Sequence, residues 1–159
     1  MYPQKHFIYA VLFAGFLFFL IPEISFLFLL IFILSSVLID IDHYLYYVYK
    51  KKNFNLKKSY DWFLKTGRLL MSFSRETRNK FYTGFFIFHG IEILVLLFAL
   101  AFHFSIFYPI FFGFAFHNLL DAVDQPRYWD KIEKLSLIHD IFKHRKTSFI
   151  DGDRDADRC

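Results

Sequence analysis

The chain has 159 residues, of which 56% are hydrophobic and 25 are Phe. A water-soluble domain of this length has too little interior to hide so much apolar surface, so part of it must face lipid. The single Cys, Cys159, excludes an internal disulfide, and the formal charge of +4 is small enough that its placement says more than its size.

Every Lys and Arg falls in three places: Lys5, ten residues within 50–80 and eight within 127–158. None lies in residues 6–49 or 81–126. A basic protein that binds nucleic acid spreads its charges over a face of each element. Here they are expelled from two long apolar blocks, which argues against a nucleic-acid partner and for membrane segments.

The first block is too long for one span of roughly 20 residues. Pro22 and Glu23 are its only break, so it predicts helices at about 7–21 and 24–46. The first is short and suits a locally thinned bilayer. No small-residue cleavage site follows it, which disfavours a signal segment. The loop 50–80 holds its ten basic residues against two acids, Asp61 and Glu76. Within it, residues 59–80 (SYDWFLKTGRLLMSFSRETRNK) mix aromatic, Leu and basic residues at helical spacing. That is the pattern of an amphipathic helix at the headgroup level, with Trp62, Phe63, Leu69, Leu70 and Phe73 seeking apolar cover.

The second block predicts spans at about 81–102 and 108–123, turned by residues 103–109 (HFSIFYP). His103, in that turn, reads as a helix–helix hydrogen-bond partner. Residues 127–150 form a cytoplasmic C-terminal segment, where His139 and His144 read as surface residues. Residues 151–159 (DGDRDADRC) read as a disordered tail, since the spacing and the bidentate Glu of a calcium loop are missing.

The expected architecture is all-α: a polytopic membrane protein with a four-helix transmembrane bundle and an interfacial amphipathic helix in the 50–80 loop. Residues 1–126 are the membrane domain. The positive-inside rule places both termini and the loop in the cytoplasm, so the chain is expected to be a multi-pass protein of a plasma or inner membrane. The many Phe side chains also offer a face for a homo-oligomer.

Against this background the polar residues of the blocks stand out: Asp40, Asp42, His43, His89, Glu92, His117, Asp121 and Asp124. One charged residue at the centre of a span costs about 2.5–3.5 kcal/mol on insertion scales. Left unpaired, the set would cost more than the whole net stability of a domain, on the order of 5–15 kcal/mol. These groups must lie near the interface, be paired, or bind a cation. Depth supports a gathering. Residues 40–43 lie near the cytoplasmic end of the second span, and His117 and Asp121 lie in the cytoplasmic half of the fourth. His89 lies about 12 Å into the third at 1.5 Å per residue. His6 opens the first span on the same side.

Helical phase agrees, since His117, Asp121 and Asp124 share a face, as do Asp40 with His43 and His89 with Glu92. Asp42 points elsewhere and reads as a supporting residue or as a sign that the helix ends there. Imidazole and carboxylate together suit zinc first, with manganese or non-haem iron as alternatives. A proton or ion pathway and plain structural hydrogen bonding are the competing readings.

The same residues carry a resemblance. The stretch SSVLIDIDHYLYY resembles the L-L-P-D-x-D-H signature of the YdjM-like inner-membrane metal-dependent hydrolases. GFAFHNLLDAVD resembles that family's G-x-x-x-H-x-x-x-D signature, with Gly113, His117 and Asp121 in register. FHGIEILVL stands where the family has its middle His motif, and His6 matches its N-terminal His. The chain departs from the pattern at Ile39, where the family has Pro, and at Ala10, where it has Gly. The middle motif is reduced to His89, Gly90 and Glu92.

The family is similar to the all-helical zinc-dependent phospholipase C and single-strand nuclease group. The resemblance therefore implies a metal-dependent hydrolase of phosphate esters, with Asp42, His43, His89, His117, Asp121 and His6 as metal ligands. Asp40, Glu92 and Asp124 are then expected to orient imidazoles or act as general base. Lys50, Lys51, Lys52 and the basic loop would attract an anionic headgroup, so a membrane lipid is the expected partner and substrate class. The alternatives are a non-enzymatic divalent-metal or ion carrier, and a structural membrane protein that binds anionic lipid or a partner.

Overall fold

Pro3 supplies the fixed φ that suits a first helical turn, and the apolar run behind it continues unbroken to Leu20. This is α1 (Pro3–Leu20) in a computed structural model that describes residues 3–124 and 136–155. Pro22 cannot extend the helix, and the chain turns through a bond from the Ile24 amide to the Ile21 carbonyl, 2.9 Å. Helix α2 (Phe26–Leu38) comes next.

The single helix expected over 24–46 is overwound at residues 39 and 40. The Asp40 amide donates to the Val37 carbonyl at 3.2 Å and the His43 amide to the Asp40 carbonyl at 3.1 Å. These three-residue bonds tighten the turn and reset the phase of the next helix, α3 (Ile41–Lys51). Counted through the turn, Phe26–Lys51 is one apolar run of 26 residues. Among the described residues it is the one helix long and apolar enough to cross a membrane. Gln4–Leu20 and Ile91–Ala101 are apolar but shorter.

Helix α3 ends at Lys52, whose left-handed φ of 53° closes the last turn. Helix α4 (Leu56–Ser72) is capped by the Asn55 side chain, which accepts from the Lys58 amide at 2.9 Å. The short α5 (Arg75–Arg78) leads into β1 (Phe81–Tyr82). Beyond it come α6 (Ile91–Ala101), α7 (Phe107–Asp124), α8 (Leu137–His144) and β2 (Ser148–Phe149).

The helix expected from residue 81 thus begins ten residues later, at Ile91. Phe81 and Tyr82 instead pair in parallel with Ser148 and Phe149, a partner too distant in sequence for local patterning to reveal. Gly84 and Gly90 further weaken helix over this stretch.

The helices bury a narrow seam. Ala10 and Ala14 of α1 meet Leu29 and Phe32 of α2, with Phe116 of α7 packed against them. Small residues on α1 let α2 approach, and Phe13 stacks on Phe116 at 4.7 Å. Helix α7 lies so near α2 that a Cβ at Gly113 would stand 2.7 Å from the Phe32 carbonyl oxygen. Facing outward, large apolar side chains are bare: Phe19 is 81% exposed, Phe26 76%, Leu12 65% and Val95 64%.

Beside the seam sits a basic layer built on α4. Leu69 and Leu70 bury Ile150, with Phe73 and Phe81 alongside. The expected amphipathic helix is therefore present as α4, but Trp62, Leu69 and Leu70 are covered by protein rather than left for lipid. The cover comes from β2 and the residues after it. The tail read as disordered is, over residues 151–155, a packed turn. Asp151 accepts from Lys51 Nζ at 2.8 Å and from Trp62 Nε1 at 2.8 Å, and the Gly152 amide donates to Thr66 Oγ1 at 3.0 Å. Polar composition suggested disorder because the partners lie 86 residues or more away. Residues 125–135 and 156–159, Cys159 included, lie outside the described residues.

Candidate metal centre

Helix α7 carries His117 and Asp121 one turn apart on its buried face. The close fit at Gly113 brings the α2 backbone within reach of the imidazole, and His117 Nδ1 donates to the Ser36 carbonyl at 2.7 Å. That bond fixes the tautomer and leaves the Nε2 lone pair aimed inward. Nε2 lies 3.7 Å from Asp121 Oδ2 and 3.6 Å from Asp40 Oδ1.

The tightened turn between α2 and α3 brings both Asp40 and Asp42 to the same side. Asp42 bridges two imidazoles, with Oδ1 2.9 Å from His43 Nδ1 and Oδ2 3.1 Å from His89 Nδ1. Its Oδ2 also accepts from the Phe88 amide at 3.0 Å. Both carboxylate oxygens of Asp42 are thus engaged by imidazoles. His89, expected inside a helix, precedes α6 on irregular backbone, and its Nε2 lies 3.5 Å from Asp40 Oδ1 and 4.0 Å from Asp121 Oδ2. His6, at the end of the first turn of α1, reaches both carboxylates. Its Nε2 is 3.2 Å from Asp121 Oδ1 and its Nδ1 is 3.5 Å from Asp40 Oδ2. The His6 and His117 rings are 3.8 Å apart.

Three overlapping groups are placed to hold a metal ion: His6, Asp40 and His117; Asp40, His43 and His89; His89, His117 and Asp121. Ligands roughly 2.0–2.1 Å from a tetrahedral ion stand about 3.3–3.4 Å apart, close to the separations here. Burial sharpens the case. His6 and His117 are fully buried, yet His6 Nδ1, His6 Nε2, His117 Nε2 and Asp40 Oδ2 make no well-aligned hydrogen bond, only the longer contacts given above. Buried polar atoms are ordinarily satisfied, and poorly satisfied atoms from three residues of one cluster, each residue offering one ligand atom, fit a cation. The donor set is imidazole nitrogen and carboxylate oxygen, which does not select among zinc, manganese and iron. The open edge is at Asp40 and His43, whose side chains are 16% and 23% exposed. Phe86 stacks on His43 at 3.8 Å and walls that side.

Asp40, expected as a supporting base, belongs to two of the three groups that could hold an ion. Glu92 is not brought to the centre. Its carboxylate accepts from Ser136 Oγ at 2.6 Å and from the Leu137 amide at 3.0 Å, capping α8. The contact spans 44 residues, so the His89–Glu92 spacing misled by being local. Asp124 is buried on α7 but belongs to none of the converging groups. His103 is exposed in the turn after α6, and His139 is exposed on α8. His144, read as a surface residue, stacks on Tyr82 at 4.0 Å. Sequence reasoning missed the Ser36 carbonyl, because a backbone acceptor leaves no residue signal. Comparison with family models, curated proteins and solved structures finds no match to this chain.

Proposed function

We propose that the chain is a multi-pass membrane protein whose Asp/His centre binds a divalent metal, zinc foremost, and hydrolyses a phosphate ester at the cytoplasmic face. The observation that carries the reading is the convergence of His6, Asp40, His89, His117 and Asp121 from four separate parts of the chain. Similarity to the YdjM-like hydrolases in DIDH at residues 40–43 and in GFAFHNLLD at residues 113–121 supports the hydrolytic half.

The membrane half rests on bare Phe and Leu around the seam and on the exclusion of Lys and Arg from it. In this reading α1, α2 with α3, and α7 span, and α6 is a half-span that starts beside the centre. At 1.5 Å per residue, its 11 residues make about 16 Å. Irregular backbone before it is tolerated because it is packed in protein and lines the site.

A bound divalent ion supplies acidification of a water, to a pKa of about 7, and polarisation of a phosphoryl oxygen. The chain does the rest. Asp42 orients His43 and His89, and the Ser36 carbonyl orients His117. His43, at the open edge and supported by Asp42, exchanges a proton with substrate or water. Lys50, Lys57 and Lys58 draw an anionic headgroup toward that edge.

Elemental analysis of purified protein, followed by phosphodiester hydrolysis assays on lipid and soluble substrates, tests the reading. His117→Ala and Asp121→Ala are expected to lose both metal and hydrolysis. Full hydrolysis in both variants overturns it. Bound metal with uptake into proteoliposomes but no hydrolysis would replace it with a carrier. Against a carrier stands the apolar half of the seam, Ala10, Ala14, Leu29 and Phe32, which offers no polar path.

A further inference from the structure

Helix α8 is amphipathic, yet it is mounted the wrong way round for a protein in water. Asp140, in its middle, is 7% exposed and faces the protein, while Ile138 is 60% exposed, Ile141 45% and Phe142 58%. These three sit at spacings of three and four, so they form one continuous apolar stripe turned outward. Exposing three large apolar side chains on one face costs stability in water. The orientation becomes favourable when the outer medium is apolar.

The helix is also fixed in place. Glu92, in the first turn of α6, caps its N-terminus through Ser136 and Leu137. Gly90 stands so close that a Cβ there would lie 2.7 Å from Leu137 Cγ. At its other end His144 stacks on Tyr82. The cap ties α8 to the start of the half-span, where Ile91 is 55% exposed, so the stripe lies beside bare apolar surface already assigned to lipid. Arg145 and Lys146 come directly after it, basic residues at the edge of the stripe.

We infer that α8 is a membrane-surface anchor, its Ile138–Ile141–Phe142 stripe seated at the headgroup–acyl boundary of an anionic leaflet. The inference rests on the proposal that the chain spans a membrane. It moves the interfacial role from α4, whose apolar face is covered by protein, to α8, whose face is bare.

The test uses the full chain with Cys159→Ser, carrying one new cysteine at a time and reconstituted in phosphatidylcholine–phosphatidylglycerol vesicles. Phe142→Cys reports the stripe, His139→Cys the exposed polar face of the same helix and Val95→Cys the lipid face of α6. Each is labelled with an environment-sensitive fluorophore and titrated with soluble iodide and with lipids nitroxide-labelled near the headgroup or deep in the chain. Metal content of each variant reports that the centre is intact.

The expected result is blue-shifted emission at Phe142→Cys, quenched by the shallow nitroxide and shielded from iodide, with the reverse at His139→Cys. Val95→Cys is quenched by the deep nitroxide. Iodide quenching at Phe142→Cys equal to that at His139→Cys, with Val95→Cys still lipid-quenched, overturns the anchor alone. Iodide quenching at all three overturns the membrane reading itself. Protection of Phe142→Cys from every quencher, or its ready oxidation to a cross-linked dimer, assigns the stripe to protein and overturns the anchor.

Discussion

His117 gives one ring nitrogen to the Ser36 carbonyl and turns the other toward Asp40 and Asp121, and Asp42 does the equivalent for His89. In the proposed centre Asp42 orients two imidazoles. Asp42→Asn keeps the shape but loses an acceptor, and it is expected to weaken metal affinity about 10–100-fold, read by competition with a chromophoric chelator. His117→Ala removes a ligand outright and is expected to abolish stoichiometric binding. A second acid works far from the centre. Burial would raise the Asp151 carboxyl, but hydrogen bonds from Lys51 and Trp62 outweigh it and hold the group below its ordinary value of 3.8. A depressed carboxyl stabilises the fold above its unfolded value, and that stability is lost as pH falls through the folded one. Thermal stability should therefore drop below pH 3.8 in the wild type, and Asp151→Asn should flatten that acid limb. His117 with Asp121 was legible in sequence because both sit on one regular helix. The supporting place of Asp42 was legible from its phase, but its contact with His89 was not, because that residue lies 47 positions away on irregular backbone.

At the scale of elements, Gly113 and Glu92 set two contacts. Gly113 lets α2 and α7 meet with backbone against backbone, which is what puts Ser36 opposite His117. Gly113→Ala must push the helices apart, at a cost typical of overpacking, about 1–3 kcal/mol, seen as a lower unfolding midpoint together with weaker metal binding. Glu92→Ala uncaps α8 and should leave metal content unchanged while raising protease cleavage near residue 136. A catalytic role for Glu92 would give the opposite pattern, intact α8 and lost hydrolysis. The helices α1, α2 and α7 were legible because apolar composition and Pro22 define them. The strand pair β1–β2 and the irregular run before His89 were not. Each depends on partners far away in the sequence, and two-residue strands carry no periodicity.

For the whole molecule, the proposed membrane topology follows from the distribution of Lys and Arg, which puts the 50–80 loop inside. With Cys159→Ser as background, Lys57→Cys and Ser105→Cys report the two faces. In right-side-out vesicles a membrane-impermeant maleimide is expected to label position 105 and spare 57, and inverted vesicles should reverse the result.

The packed turn at residues 151–155 also bears on the order of assembly. Its bonds reach back 89 residues to Trp62 and 100 to Lys51. During synthesis at about 5–20 residues per second, α4 is therefore complete for several seconds before the turn that covers it exists. In that interval Trp62 has Tyr47 and Phe63 beside it, but Leu70 lacks the cover of Ile150. Closure of the basic layer is then a late, long-loop event, and a chain cut after residue 147 should keep α1, α2 and α7 packed yet leave α4 open to proteolysis.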